Sequence, residues 1–125
     1  MVPTDLRYTK DHEWVRVEGT RVRIGITDYA QDALGDVVFV QVPTLGASVK
    51  ASDSFSEVES TKSVSEIYAP VAGSVAAVNA DLADAPERLN EDPYGEGWIC
   101  ELEVSDLGQL DDLLSVDGYR SLIEE

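Results

Sequence analysis

Three lysines, one histidine and one cysteine bound the chemistry open to this chain: Lys10, Lys50, Lys62, His12 and Cys100. Lys62 is the informative one. It is centred in Glu59-Ser60-Thr61-Lys62-Ser63-Val64-Ser65-Glu66, between two strand-like segments. A lysine at the apex of a tight hairpin presents its amine for enzymatic acylation, because the backbone is held while the four-carbon stem swings. A merely solvated turn lysine has the same local sequence, so the segment alone leaves both readings open. The other candidates are weaker. A Ser–His–Asp triad would need His12, yet the chain has no GxSxG turn, and His12 reads as a partly exposed residue beside Trp14. Cys100 falls on the apolar face of a strand and reads as a small buried hydrophobe, not a nucleophile. One His and one Cys argue against a zinc site of the usual ligands. Carboxylates are too abundant for a pair of them to signal glycosidase chemistry. Gly35, Gly46 and Gly73 fit turns, and no phosphate loop. These signals describe a protein that is not an enzyme and holds no metal.

The elements that must position Lys62 follow from periodicity. Val15 and Val17 alternate with charged neighbours, Gly19-Thr20 supplies a turn, and Val22, Ile24 and Ile26 alternate on the return. Asp28 is placed to cap a short helix through Leu34, stopped at Gly35. Val37 to Val42 is a near-continuous apolar run, which predicts a strand buried on both sides and ended by Pro43. Strands are expected at about Phe55–Glu59 and Val64–Tyr68, with Ser60–Ser63 as the hairpin tip, and again at Ser74–Val78. Ala80 to Gly97 reads as a long irregular connection. Trp98, Cys100, Leu102 and Val104 share one face of a last strand. Leu107, Leu110, Leu113 and Leu114, then Tyr119, Leu122 and Ile123, recur at helical spacing, and Ser115 or Asp117 could start the final helix. Pro43-x-x-Gly46 and Pro70-x-x-Gly73 form an echo that suits a quasi-symmetric sandwich.

At 125 residues and 43% hydrophobic, the chain is expected to fold as a single domain, residues 1–125. Nine basic residues against 25 acids give a net charge of −16, which argues against a nucleic-acid or anionic-membrane partner. No apolar run approaches the roughly 18 residues of a membrane span, and no signal core opens the chain, so a cytoplasmic location is expected. The charge is uneven: residues 1–80 carry a net of −4 and residues 81–125 a net of −12. Two readings fit, a solubility-promoting surface or a field that steers basic partners through groups such as Asp111, Asp112, Glu124 and Glu125.

Four segments stand in order: HEWV at 12–15, GITDYAQDALGDVVFVQVP at 25–43, ESTKSVSEIYAPVAGSV at 59–75 and NEDPYGEGWICELEV at 90–104. Together they resemble the lipoyl-carrying H proteins of the glycine cleavage system, from about Tyr8 to Ile123. The resemblance implies a mainly β fold, the barrel-sandwich hybrid of lipoyl and biotinyl domains, which is a flattened β-barrel of two small antiparallel sheets, here with short C-terminal helices. It implies lipoate in amide linkage to Lys62. Glu59 and Gly73 match positions associated with recognition by lipoylating enzymes, and Glu13 and Glu66 match positions lining the groove where the loaded arm rests. Ala33 departs from members that place a histidine there, and Glu66 stands where some have aspartate.

The implied role is that of a carrier, not an enzyme. It shuttles the aminomethyl group of glycine from pyridoxal-phosphate-dependent glycine decarboxylase to the tetrahydrofolate-dependent aminomethyltransferase, then its dithiol to flavin-containing dihydrolipoyl dehydrogenase. The carrier is expected as a monomer that also meets lipoylating enzymes. Three other readings are compatible with a hairpin lysine: a relay that donates lipoate to other complexes, a lipoyl or biotinyl domain of another multienzyme system, and an interaction domain with a bare lysine. Against the second, Thr61 and Ser63 flank Lys62, where biotin domains place methionines and 2-oxoacid dehydrogenase domains favour Asp-Lys-Ala.

Overall fold

The computed structural model describes residues 2–123, so Glu124 and Glu125 of the acidic tail lie outside the described residues. Nine strands run β1 (Arg7–Tyr8), β2 (Glu13–Glu18), β3 (Arg21–Ile26), β4 (Val37–Gln41), β5 (Ser48–Val49), β6 (Ser54–Ser60), β7 (Val64–Tyr68), β8 (Gly73–Val78) and β9 (Cys100–Glu103). Three α-helices, α1 (Asp28–Leu34), α2 (Arg88–Glu91) and α3 (Val116–Ile123), and two 3-10 turns at Ala80–Ala83 and Leu107–Asp112 make up the other elements of the described residues. The strands form two antiparallel sheets, in the orders β1-β2-β3-β9-β8-β5 and β4-β6-β7. They remain separate hydrogen-bonded units that share one core. Val40, Val58 and Ile67 from the smaller sheet pack in the same cluster as Val22, Ile24, Val75, Cys100 and Leu102 from the larger. This is the expected mainly β architecture, with the barrel left unclosed.

The sequence echo has a structural counterpart. The segments that follow Pro43-x-x-Gly46 and Pro70-x-x-Gly73 pair with each other as β5 and β8, and Gly46 N–H donates to the Val75 carbonyl at 2.8 Å. A second core of Val2, Leu6, Tyr8, Trp14 and Tyr119 anchors α3 to the large sheet. Gly25 makes room for it, since a Cβ there would fall 2.6 Å from the Trp14 ring.

Four expectations need correction. The β4 run is not buried on both sides: Val38 and Phe39 are 53% and 49% exposed, because the register shifts between Val37 and Phe39 and no layer covers the outer face. Thr27, not Asp28, caps α1; its hydroxyl accepts from Ala30 N–H, while Asp28 is the first helical residue. The 80–97 connection contains a 3-10 turn and α2. The leucines from Leu107 form a 3-10 turn in place of an α-helix. Ser115 does begin the last helix, taking Gly118 N–H on its hydroxyl and Tyr119 N–H on its carbonyl.

Candidate functional site

Lys62 projects from the tip joining β6 and β7, and the tip is stapled at three points. Ser60 N–H donates to the Ser63 carbonyl at 2.8 Å, and the Ser60 hydroxyl receives the N–H groups of Lys62 and Ser63, each at 3.1 Å. Thr61 N–H donates to the Asp36 carbonyl at 3.0 Å, which ties the tip to the chain entering β4. The backbone is therefore fixed, while the Lys62 side chain is exposed.

The stem of Lys62 lies along Gly35. A Cβ at Gly35 would come 3.3 Å from Lys62 Cε and 3.5 Å from Cδ, and Gly35 holds φ +81° as it ends α1. Asn90, on α2, locks this bend. Its amide nitrogen donates to the Gly35 carbonyl at 2.8 Å and to Gln31 at 3.0 Å, and its oxygen receives Val37 N–H at 2.8 Å. Asn90 opens the 90–104 segment, but its role is not legible there, because its three partners lie 53 to 59 residues away.

Two clefts open near the hairpin. One, of about 310 Å³, begins at Ser63 and Val64 and runs between Ile26, Ala30, Ala33 and Leu34. Ala33 forms part of this apolar wall. His12 also lines it, with φ +68° and its ring Nδ1 2.8 Å from the Tyr119 hydroxyl. That hydroxyl lies 2.7 Å from Thr27 Oγ1 as well. Tyr119 therefore joins α3 both to the cleft wall and to the cap of α1. Burial holds the His12 pKa below its ordinary value, which favours the neutral ring. The imidazole faces Tyr119 and Tyr29, not Trp14 as its sequence position suggested.

The second cleft, of about 280 Å³, is lined by Glu13, Thr9, Tyr68 and Leu114 among others, and Asp11 borders both clefts. Glu13 is 1% exposed. Its carboxylate accepts the Thr9 hydroxyl at 2.8 Å and Tyr68 N–H at 3.0 Å. Burial pushes its pKa up to about 7 against the opposing pull of these two hydrogen bonds. Glu66 is exposed on β7 and receives the Tyr68 hydroxyl at 3.3 Å, so Tyr68 touches both glutamates.

Glu59 is exposed at the end of β6, opposite Phe39 and Val64, and lines neither cleft. Gly73 is not a turn residue. It opens β8 in the other sheet, where a Cβ would meet the Glu103 carbonyl oxygen at 2.6 Å. Close strand approach is reason enough for a glycine there. Cys100 is fully buried and its thiol pKa is pushed up, mainly by desolvation. Among the described residues no His, Cys, Asp or Glu group could hold a metal ion, and no helix is long and apolar enough to cross a membrane.

The geometry displays one amine on a rigid tip beside an apolar cleft. Known proteins share the whole frame. Residues 6–125 match the family described as Glycine cleavage H-protein. The glycine cleavage system H protein of Geobacillus kaustophilus is 54% identical, over 98% of this chain and 97% of that protein. The probable glycine cleavage system H protein of Haloarcula marismortui is 57% identical, over 98% and 97%. A crystal structure of a glycine cleavage system H protein from Mycobacterium marinum superposes with a TM-score of 0.91 at 40% identity, covering 99% of this chain and 100% of that one. This chain belongs to the glycine cleavage H-protein family.

Proposed function

We propose that this protein works as the lipoyl carrier of the glycine cleavage system, with lipoate in amide linkage to Lys62. The observation that carries the assignment of the residue is the stapled tip. Its backbone groups are tied to Ser60, Ser63 and Asp36, whereas the lysine stem is exposed and has room along Gly35. An apolar cleft beginning one residue beyond Lys62 suits a hydrocarbon arm. When bound, the group supplies a disulfide that takes up a one-carbon amine fragment with electrons and gives both up again.

The residues of this chain hold the arm and limit water around it. Ile26, Ala30, Ala33 and Leu34 give the apolar wall, Glu13 supplies a carboxylate in the second cleft, and Glu66 lines neither cleft and reaches this one only through the Tyr68 hydroxyl. The Glu13 carboxyl titrates near neutrality, so it offers an acceptor or a donor to a polar arm end. Glu59, three residues before Lys62 on the same hairpin, and Gly73 are the contacts read by lipoylating enzymes. The partners are glycine decarboxylase, aminomethyltransferase and dihydrolipoyl dehydrogenase, met in turn by a monomeric single domain of residues 1–125 in the cytoplasm. The protein itself performs no catalysis.

The test is lipoylation in vitro. Lys62→Arg keeps the charge and should take up no lipoate, and Glu59→Ala should be lipoylated more slowly with an unchanged melting temperature, since an exposed strand-end acid contributes little to folding. Full lipoylation of Lys62→Arg would overturn the assignment. An unchanged rate for Glu59→Ala would remove that residue from the recognition set.

A further inference from the structure

The two sheets treat their outward charges differently. On the six-stranded sheet every outward glutamate of β9 has a basic answer. Arg23 reaches Glu101 at 2.9 Å, Arg21 reaches Glu103 at 3.1 Å, and the Arg23 guanidinium lies 4.4 Å over the Trp98 ring. The three-stranded sheet has no lysine or arginine in any strand. Its register places Gln41, Glu57 and Glu66 in one cross-strand row and Phe39, Glu59 and Val64 in the next. Directly paired residues project to the same side of a sheet, and the inward set here is Val40, Val58 and Ile67. The outer face therefore carries three carboxylates beside Phe39 and Val64, which are 49% and 56% exposed.

Two unfavourable features coincide on this face. Glu57 sits directly opposite Glu66, and like charges in that position destabilise a strand pair. No base answers Glu57, Glu59 or Glu66 among the described residues. Exposed aromatic and branched apolar side chains gain nothing from water. A partner that brings positive charge and an apolar depression relieves both at once. Local conflict of this kind, in a chain that answers its charges elsewhere, is the mark of a surface shaped for a contact.

We propose that the outer face of β4, β6 and β7 is the docking surface of this carrier, and that its occupant is an enzyme whose active-site mouth is rimmed by arginine or lysine around an apolar depression. Phe39 and Val64 seat in the depression, and Glu57, Glu59 and Glu66 meet the rim. The face is continuous with the Lys62 tip through Val64 and Glu59, so docking there aims the lysine at the mouth. The inference rests on the carrier role of Lys62.

The experiment compares Phe39→Ser/Glu57→Gln with a matched control, Val17→Ser/Glu87→Gln, which changes one exposed apolar residue and one exposed acid away from this face. Both are lipoylated, verified by intact mass, and used as the varied substrate of glycine decarboxylase. The expected result is a KM raised about tenfold or more for the first variant with kcat retained at saturation, and a KM within about twofold of the parent for the control. Equal KM values for both variants overturn the docking face, whether both are unchanged or both raised. Sedimentation that shows a parent dimer dissociated by Phe39→Ser/Glu57→Gln also overturns it and assigns the face to a second copy. A parent protein that takes up no lipoate on Lys62 refutes the carrier role itself, and is told apart by the mass measurement.

Discussion

Glu13 should cost this protein stability as the pH rises from about 5 to about 8, against the opposite contribution of His12, and Glu13→Gln should abolish the Glu13 part of the pH dependence. Glu13 is 1% exposed, and its carboxyl titrates at about 7 in the folded protein against an ordinary 4.5, chiefly through desolvation. Below the unfolded pKa both states hold the proton, and the group adds no pH dependence. Between 4.5 and about 7 the unfolded chain has released its proton while the folded chain keeps it. The unfolded state then binds fewer protons, so the unfolding free energy falls as pH rises, and the loss is complete above about 7. Moving a carboxyl from 4.5 to about 7 corresponds to about 3 kcal/mol. That is a large fraction of the roughly 5–15 kcal/mol that holds a small domain folded. The assay is urea denaturation of the parent and of Glu13→Gln across this range. The other carboxylates are common to both proteins, so the difference between the two curves isolates Glu13. The new amide changes the contacts to Thr9 and Tyr68, which offsets the curves without bending them. A difference that shifts by less than about 0.5 kcal/mol between the two pH values, or with the opposite sign, would refute the reasoning.

Gly35→Ala puts a side chain at φ +81° and a Cβ 3.3 Å from Lys62 Cε; it should lower stability by about 1–2 kcal/mol and slow lipoylation, and an unchanged melting temperature would count against the cradle. Tyr119→Phe deletes the hydroxyl shared by His12 Nδ1 and Thr27 Oγ1; a loss of about 1–3 kcal/mol is expected in urea denaturation, together with altered chemical shifts at Ala30 and Ala33. If the negative field of residues 81–125 steers partners, affinity for glycine decarboxylase should fall with salt, and neutralising Asp111 and Asp112 should flatten that slope; a flat slope in the parent would leave those charges a solubility role alone.

The β2–β3 hairpin was legible because one buried face imposes strict alternation, and Val22, Ile24 and Ile26 obey it. The lysine tip was legible because polar residues of turn length sit between two strand-like runs. Features created by distant chain segments could not be read. The β4 run looks like an interior strand, yet its exposure depends on the register shift and on the missing outer layer. Thr27 won over Asp28 as the cap because its hydroxyl is already fixed by Tyr119, 92 residues on. Gly73 resembled a turn glycine in sequence, whereas the need for it comes from the Glu103 carbonyl in the neighbouring strand. The Gly35 cradle combines both kinds of information: the helix stop is local, and the lysine stem beside it is not.

Whether Lys62 alone carries the acyl arm is decided by peptide-level mass mapping of the protein purified from lipoate-replete cells. One lipoyl group is expected on the peptide containing Lys62, with Lys10 and Lys50 unmodified. Lipoate on Lys10 or Lys50, or a bare Lys62 in protein that supports glycine decarboxylation, would contradict it.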